Sequence, residues 1–182
     1  MVRTGRALAG MAVALALITA DANAGHAMEG NAGRWGFGTD VGFVAGTYDD
    51  TVFALGAQLD YYLDPAFSVG PMMQFAPGGD LMQIAFAGVA RYHLRIGAFT
   101  LVPFAGIGLV HASLERASGP GRVDSNDTSY YIPLGASLEY QLAKRLALAT
   151  TLTVNLYNLN LNAPAGQDQT SVALMFGFRF GP

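Results

Sequence analysis

The sequence predicts an all-β chain folded as an eight-stranded antiparallel up-and-down transmembrane β-barrel. Three observations predict it. From Trp35 onward apolar side chains recur at every second position, the period of strands whose two faces meet different surroundings. The composition is 52% hydrophobic and only 13% charged with 23 Gly, too apolar for an ordinary globule and too glycine-rich for a helical bundle. Beyond the N-terminal leader no stretch approaches the roughly 18 consecutive apolar residues of a spanning helix, so the apolar content is spread over strands.

The leader comes first. Arg3 and Arg6 precede an apolar run over 7–20, and Ala22-Asn23-Ala24 supplies the small residues of a leader-peptidase site, so residues 1–24 read as a secretory signal peptide. Its removal leaves a short lead, 25–34, before a barrel over 35–180. Segment 35–47 sets Trp35, Phe37, Val41 and Phe43 against Gly36, Gly38, Asp40 and Gly42. Segment 52–62 sets Phe53, Leu55, Leu59 and Tyr61 against Gly56, Gln58 and Asp60, and Asp64-Pro65 turns the chain, since Pro presets a turn dihedral and cannot donate to a ladder. In 67–75, Phe67, Val69, Met73 and Phe75 oppose Ser68, Gly70 and Gln74. After the turn "APGGD", segment 81–94 sets Ile84, Phe86, Ala90, Tyr92 and Leu94 against Gln83, Ala85, Ala87, Arg91 and His93.

The fifth segment, 100–111, has two possible greasy faces, and the set Leu101, Ile107 and Leu109 leaves Gly106 and Gly108 on the minor face, as in the first strand. Residues 112–128, "ASLERASGPGRVDSNDT", are polar and rich in turn formers, which predicts an exposed loop with no packed face. Segment 130–142 sets Tyr130, Ile132, Leu134, Leu138 and Tyr140 against Tyr131, Gly135, Ser137 and Glu139; segment 146–156 sets Leu146, Leu148, Leu152 and Val154 against Ala147, Thr151, Thr153 and Asn155. A second exposed loop is expected over 158–168. The last strand, "SVALMFGFRFGP", carries Val172, Leu174, Phe176, Phe178 and Phe180 opposite Gly177 and Arg179. Short and long connections alternate, as when one barrel end bears turns and the other loops.

Alternation alone does not say which face looks outward, and a soluble periplasmic lipid carrier with a greasy interior shares the pattern. The minor face favours the membrane. A soluble barrel clothes its outside in charged side chains, whereas here that face holds Gly, Ala, Ser, Thr and Gln with isolated charges, suited to the narrow interior of eight strands. Trp35, Phe37, Tyr61, Phe67, Tyr92, Tyr140, Phe178 and Phe180 then gather on the outer face near the tight-turn ends, where an interfacial aromatic girdle belongs. Closure also pairs every backbone N–H and C=O, which hydrocarbon demands.

The hairpin segments "LDYYLDPAFSVGP", "AGVARYHL" with "VPFAGIGL", "LGASLEYQLAKRLAL" and the alternating aromatic last strand resemble the small eight-stranded outer-membrane barrels of the OmpA/OmpX type, over about 35–180. In that group a last strand ending in Phe is the signal for barrel insertion; here Gly181 and Pro182 follow Phe180. The resemblance implies residence in the outer membrane of a Gram-negative bacterium, in contact with its lipid and lipopolysaccharide. It also implies insertion by the barrel-assembly machinery and a monomeric state.

Charged residues on the inner face are the candidate site. Asp60, Arg91, Glu139 and Arg179 all fall within a few residues of the tight-turn end, and two acids with two arginines at one depth predict a paired network that plugs the lumen. Asp40 and Gln58 are expected to hydrogen-bond above it. The function expected is structural or surface-adhesive, in cell-envelope integrity or adhesion, with a host or surface ligand at the loops; a narrow porin-like channel and a lipid A-modifying enzyme are the rivals. "VHASLE" places His111, Ser113 and Glu115 together, and His111 with Ser113 is similar to the His-x-Ser of lipid A deacylases, though the Asn that follows in that motif is absent. No catalytic, metal or cofactor site is expected. Zero Cys excludes disulfides and thiolate chemistry, His26 and His93 lack metal-ligand spacing, and a net charge of −3 gives no basic footprint for nucleic acid.

Overall fold

The computed structural model describes residues 32–47, 50–118, 121–161 and 168–181. The signal-peptide segment 1–24 and most of the lead lie outside the described residues. Nine β-segments form the fold: β1 (Trp35–Thr47), β2 (Asp50–Asp64), β3 (Phe67–Pro77), β4 (Leu81–Tyr92), β5 (Leu94–Ile96), β6 (Phe99–Ser118), β7 (Gly121–Ala143), β8 (Leu146–Leu159) and β9 (Asp168–Phe180). β4 and β5 are one barrel strand interrupted at His93, and both pair with β6, so the sheet is a closed eight-stranded antiparallel barrel.

Closure joins the first strand to the last, with Phe37 opposite Phe180 and Ala45 opposite Val172, which leaves no open edge in the barrel wall below the extended β6–β7 hairpin. Tight turns join β2 to β3, β5 to β6 and β7 to β8 at one end; Gly97 supplies the left-handed dihedral (φ 64°) that the two-residue turn between Ile96 and Phe99 requires.

Burial alternates along the strands, and the large apolar residues are the exposed ones. Ile107 is 71% and Leu109 62% exposed, while Val102 and Val110 on the opposite face of the strand are buried. The fifth barrel strand therefore faces as expected, with Leu101, Ile107 and Leu109 outward. The turn-end aromatics pair across strands: Trp35 with Tyr61 at 5.0 Å between ring centroids, Phe37 stacked on Phe180 at 4.6 Å, and Phe99 with Tyr140 at 5.1 Å. Phe67 lies opposite Tyr92, and Phe178 opposite Leu148.

Two readings are corrected. Segment 112–128 is not an open loop: β6 and β7 continue as a hydrogen-bonded hairpin to the pair Ser118 and Gly121. Its turn formers do not break it, because the ladder itself satisfies the backbone and the inward side chains Ala112 and Leu114 stay buried. Likewise β8 runs on to Leu159, and Leu159 and Leu161, assigned by sequence to a loop, are buried.

The lumen also differs from the small-residue filling expected. Its loop-end half is a hydrophobic cluster that includes Leu81, Phe104, Val110, Leu114, Tyr131, Tyr157, Leu159 and Leu161, with Met72 packed against it. Only the turn-end half is ionic.

Candidate functional site

The period-two rule positions the inner-face charges. In β1, up to the irregularity after Ala45, the buried residues are the even-numbered ones, which puts Asp40 inside with Gly38 and Gly42, and the same period buries Asp60 in β2, Arg91 in β4 and Arg179 in β9. Glycines opposite them make room. Gly38 pairs with Arg179, and a Cβ there would sit 2.7 Å from Arg179 Cδ; Gly177 pairs with Asp40, and a Cβ there would run into the Thr39 carbonyl and the Asp40 carboxylate.

The charges settle into two groups. In the first, Arg91 Nη1 donates to Asp60 Oδ1 at 2.7 Å, Ser68 Oγ donates to the same oxygen at 3.2 Å, and Gln58 Nε2 donates to Asp60 Oδ2 at 2.8 Å. His93 Nε2 lies 2.9 Å from Ser68 Oγ, whose proton goes to Asp60, so the ring donates to the serine. The second group centres on Arg179, whose Nη1 donates to Asp40 Oδ1 at 2.8 Å and whose Nη2 donates to Thr151 Oγ1 at 3.0 Å, with Glu139 Oε1 3.7 Å from Nε. Thr151 Oγ1 passes its own proton to Ser137 Oγ at 3.0 Å. All these charged side chains are at most 14% exposed, so pairing offsets a desolvation cost that neither partner could bear alone.

Asp40 thus sits inside the network rather than above it, and Gln58 serves Asp60. Among the described residues, Arg91 Nη2 and Arg179 Nε find no hydrogen-bond partner. Farther toward the loop end a neutral node follows: Tyr131 Oη lies 2.8 Å from Asn155 Oδ1 and 3.0 Å from Gln74 Oε1, and Asn155 Nδ2 donates to Ser171 Oγ at 3.1 Å. Tyr62, whose ring packs 5.0 Å from His93, is a member sequence reasoning missed; its inward position follows from Asp60 two residues earlier, but a tyrosine beside Tyr61 reads as girdle.

His111 lies on the outer face near the loop end, where its Nδ1 is 2.8 Å from Thr128 Oγ1. Among the described residues no group of three or more His, Asp or Glu is placed to hold a metal ion.

The closed barrel, its outward apolar belt and its ionic lumen define a class, the small eight-stranded outer-membrane barrel fold. Solved structures of that class are similar to this chain. Neisserial surface protein A aligns with a TM-score of 0.65 at 15% identity, over 81% of this chain and 97% of that one. The attachment invasion locus protein Ail of Yersinia pestis aligns at 0.52 and 14% over 80% and 96%, and the N-terminal barrel of Pseudomonas aeruginosa OprF at 0.50 and 18% over 80% and 97%. Identities this low establish the fold. No protein-family model matches the chain, and no curated protein sequence does.

Proposed function

We propose that the chain is exported by its leader, inserted by the barrel-assembly machinery and resident in the Gram-negative outer membrane as a monomer among phospholipid and lipopolysaccharide. There it serves a structural or surface-adhesive role. One observation supports this reading above the rest: the outward faces are apolar while the lumen is filled, by paired charges at the turn end and by packed Leu, Val, Phe and Tyr at the loop end. Buried side chains fill the lumen at both levels, which disfavours the channel, and a lipid carrier needs an emptier, apolar interior throughout.

Activity then belongs to the loop end, where the β6–β7 hairpin continues past the last outward apolar pair, Leu109 and Tyr130, to Ser118 and Gly121. Ail has been seen with the heparin analogue sucrose octasulfate. The loop-end segments of this chain carry Asp50, Asp80, Glu115, Asp124, Asp127 and Asp168 against Arg116 and Arg122, so a sulfated polyanion is the wrong charge for them. A basic or neutral surface ligand suits them better.

Planar-bilayer recording of the refolded protein, paired with a gel run with and without boiling, tests the reading. A silent bilayer with a heat-shifted band is expected; stepwise conductance would replace the plug with a pore, and a freely water-soluble monomer would invert the barrel.

A further inference from the structure

The turn-end mouth of the lumen is a basin whose lining includes Arg95, Lys144, Arg145, Arg179, Thr100 and Gln141. Two features set its cations apart. In the lumen both arginines are ion-paired, whereas among the described residues Arg95, Lys144 and Arg145 make no side-chain hydrogen bond or ion pair, and all three are exposed. Among the described residues the acids nearest these cations are engaged elsewhere: Glu139, which also lines the basin, lies 3.7 Å from Arg179, and Asp64 accepts from the Ala66 amide at 2.7 Å. The basin is also held in shape. Gln141 Nε2 donates to the carbonyls of Ala143 and Leu146 on either side of Lys144 and Arg145, and the Gly181 amide donates to the Arg145 carbonyl at 3.3 Å. Arg95 stands opposite Thr100, which stands opposite Glu139, so the cation, the hydroxyl and the carboxylate that faces Arg179 occupy one row.

Directly outside this basin lie Phe99, Tyr140, Leu142 and Phe180, all exposed and apolar or aromatic. Aromatic belts lie at headgroup depth, where the anion a bilayer offers is a lipid phosphate. We infer that the basin binds the phosphate of an anionic phospholipid from the adjoining leaflet, with Arg95, Lys144 and Arg145 as its counter-ions and the Thr100 hydroxyl as a donor. This rests on the membrane reading above.

The test uses the full-length mature chain refolded in detergent, with native mass spectrometry after addition of phosphatidylglycerol, phosphatidylcholine or inorganic phosphate. The variants are the triple Arg95→Gln/Lys144→Gln/Arg145→Gln and, as a same-end control outside the basin, Arg34→Gln. Wild type and the control should retain phosphatidylglycerol over phosphatidylcholine, and the triple variant should bind it on the order of a hundredfold more weakly, three surface cations each contributing about fivefold. Equal retention by wild type and triple variant overturns the site. Displacement of the lipid by millimolar phosphate supports the phosphate chemistry, and phosphate binding without any preference between the lipids overturns the lipid source. A heat-shift gel on each sample separates the two levels: shifted bands with no lipid preference sink the site alone, and a chain that never enters vesicles or micelles sinks the membrane reading beneath it.

Discussion

Replacing Arg179 with Met should destabilise the barrel more than replacing Arg91 with Met, although both arginines are buried and both pair with aspartate. Removing one partner of a buried pair costs about 3–5 kcal/mol, chiefly because the other charge is left uncompensated. Without Arg91, Asp60 keeps two donors, Gln58 at 2.8 Å and Ser68 at 3.2 Å, and hydrogen bonds to a charged acceptor each contribute about 1.5–3 kcal/mol. That substitution belongs at about 3 kcal/mol. Arg179 leaves two carboxylates behind, Asp40 at 9% and Glu139 at 14% side-chain exposure, and Thr151 loses its donor as well. The cost belongs at about 5 kcal/mol, and Asp40→Asn added to Arg179→Met should recover part of it. The assay is urea-dependent folding into short-chain lipid vesicles, with the folded fraction read from the heat-shifted band. Equal midpoints for the two arginine variants, or an Arg179→Met barrel as stable as wild type, would refute the reasoning, because the lumen would then hold enough water to solvate the orphaned acids.

Three further outcomes are expected. Leu152→Arg, at a position 52% exposed midway along the outer face, should lower stability in vesicles by about 2–4 kcal/mol by the same urea titration, whereas a soluble barrel would tolerate the charge. Gly177→Val should abolish the heat-shifted band, since its side chain would drive into the Thr39 carbonyl and Asp40 at the seam between β1 and β9; Gly88→Val, where an added Cβ meets nothing within 4 Å, should fold as wild type does. The folded triple variant Arg95→Gln/Lys144→Gln/Arg145→Gln, which leaves only the loop end to meet a polyanion, should pass unretained through immobilised heparin at physiological ionic strength, and retention there would show that Arg116 and Arg122 outweigh the acids around them.

Most of the fold was legible because the outer face must stay apolar at every second residue over the whole membrane depth. Phe176, Phe178 and Phe180 give that pattern with no competing interpretation. The lumen was less legible because inward residues answer to local space instead of to a bulk solvent. Phe104 and Tyr131 fit inside because small residues lie across the ladder from them: Gly135 opposite Phe104 and Gly108 opposite Tyr131. Read one strand at a time, such residues look misplaced, and only the register shows the complementarity. The hairpin over 112–128 was missed for a related reason: Gly, Ser, Asp and Asn are turn formers on average, but a ladder already nucleated by 99–111 extends through them while each added pair satisfies two backbone groups.

The same dependence on register explains why the ionic groups sit where they do. Asp40 and Arg179 are 139 residues apart, the first on the strand that opens the barrel and the second on the strand that closes it. Glu139 comes from β7 and Thr151 from β8, so Arg179 finds its partners only when β9 has docked between β8 and β1. An open sheet exposes these charges to water at little cost; a closed sheet in the wrong register buries them unpaired, at about 3–5 kcal/mol for a stranded charge. A one-residue slip of β9 would place Arg179 in the lipid and Phe178 in the lumen. The network therefore acts on the choice of seam register, a role that asks nothing of conduction or catalysis.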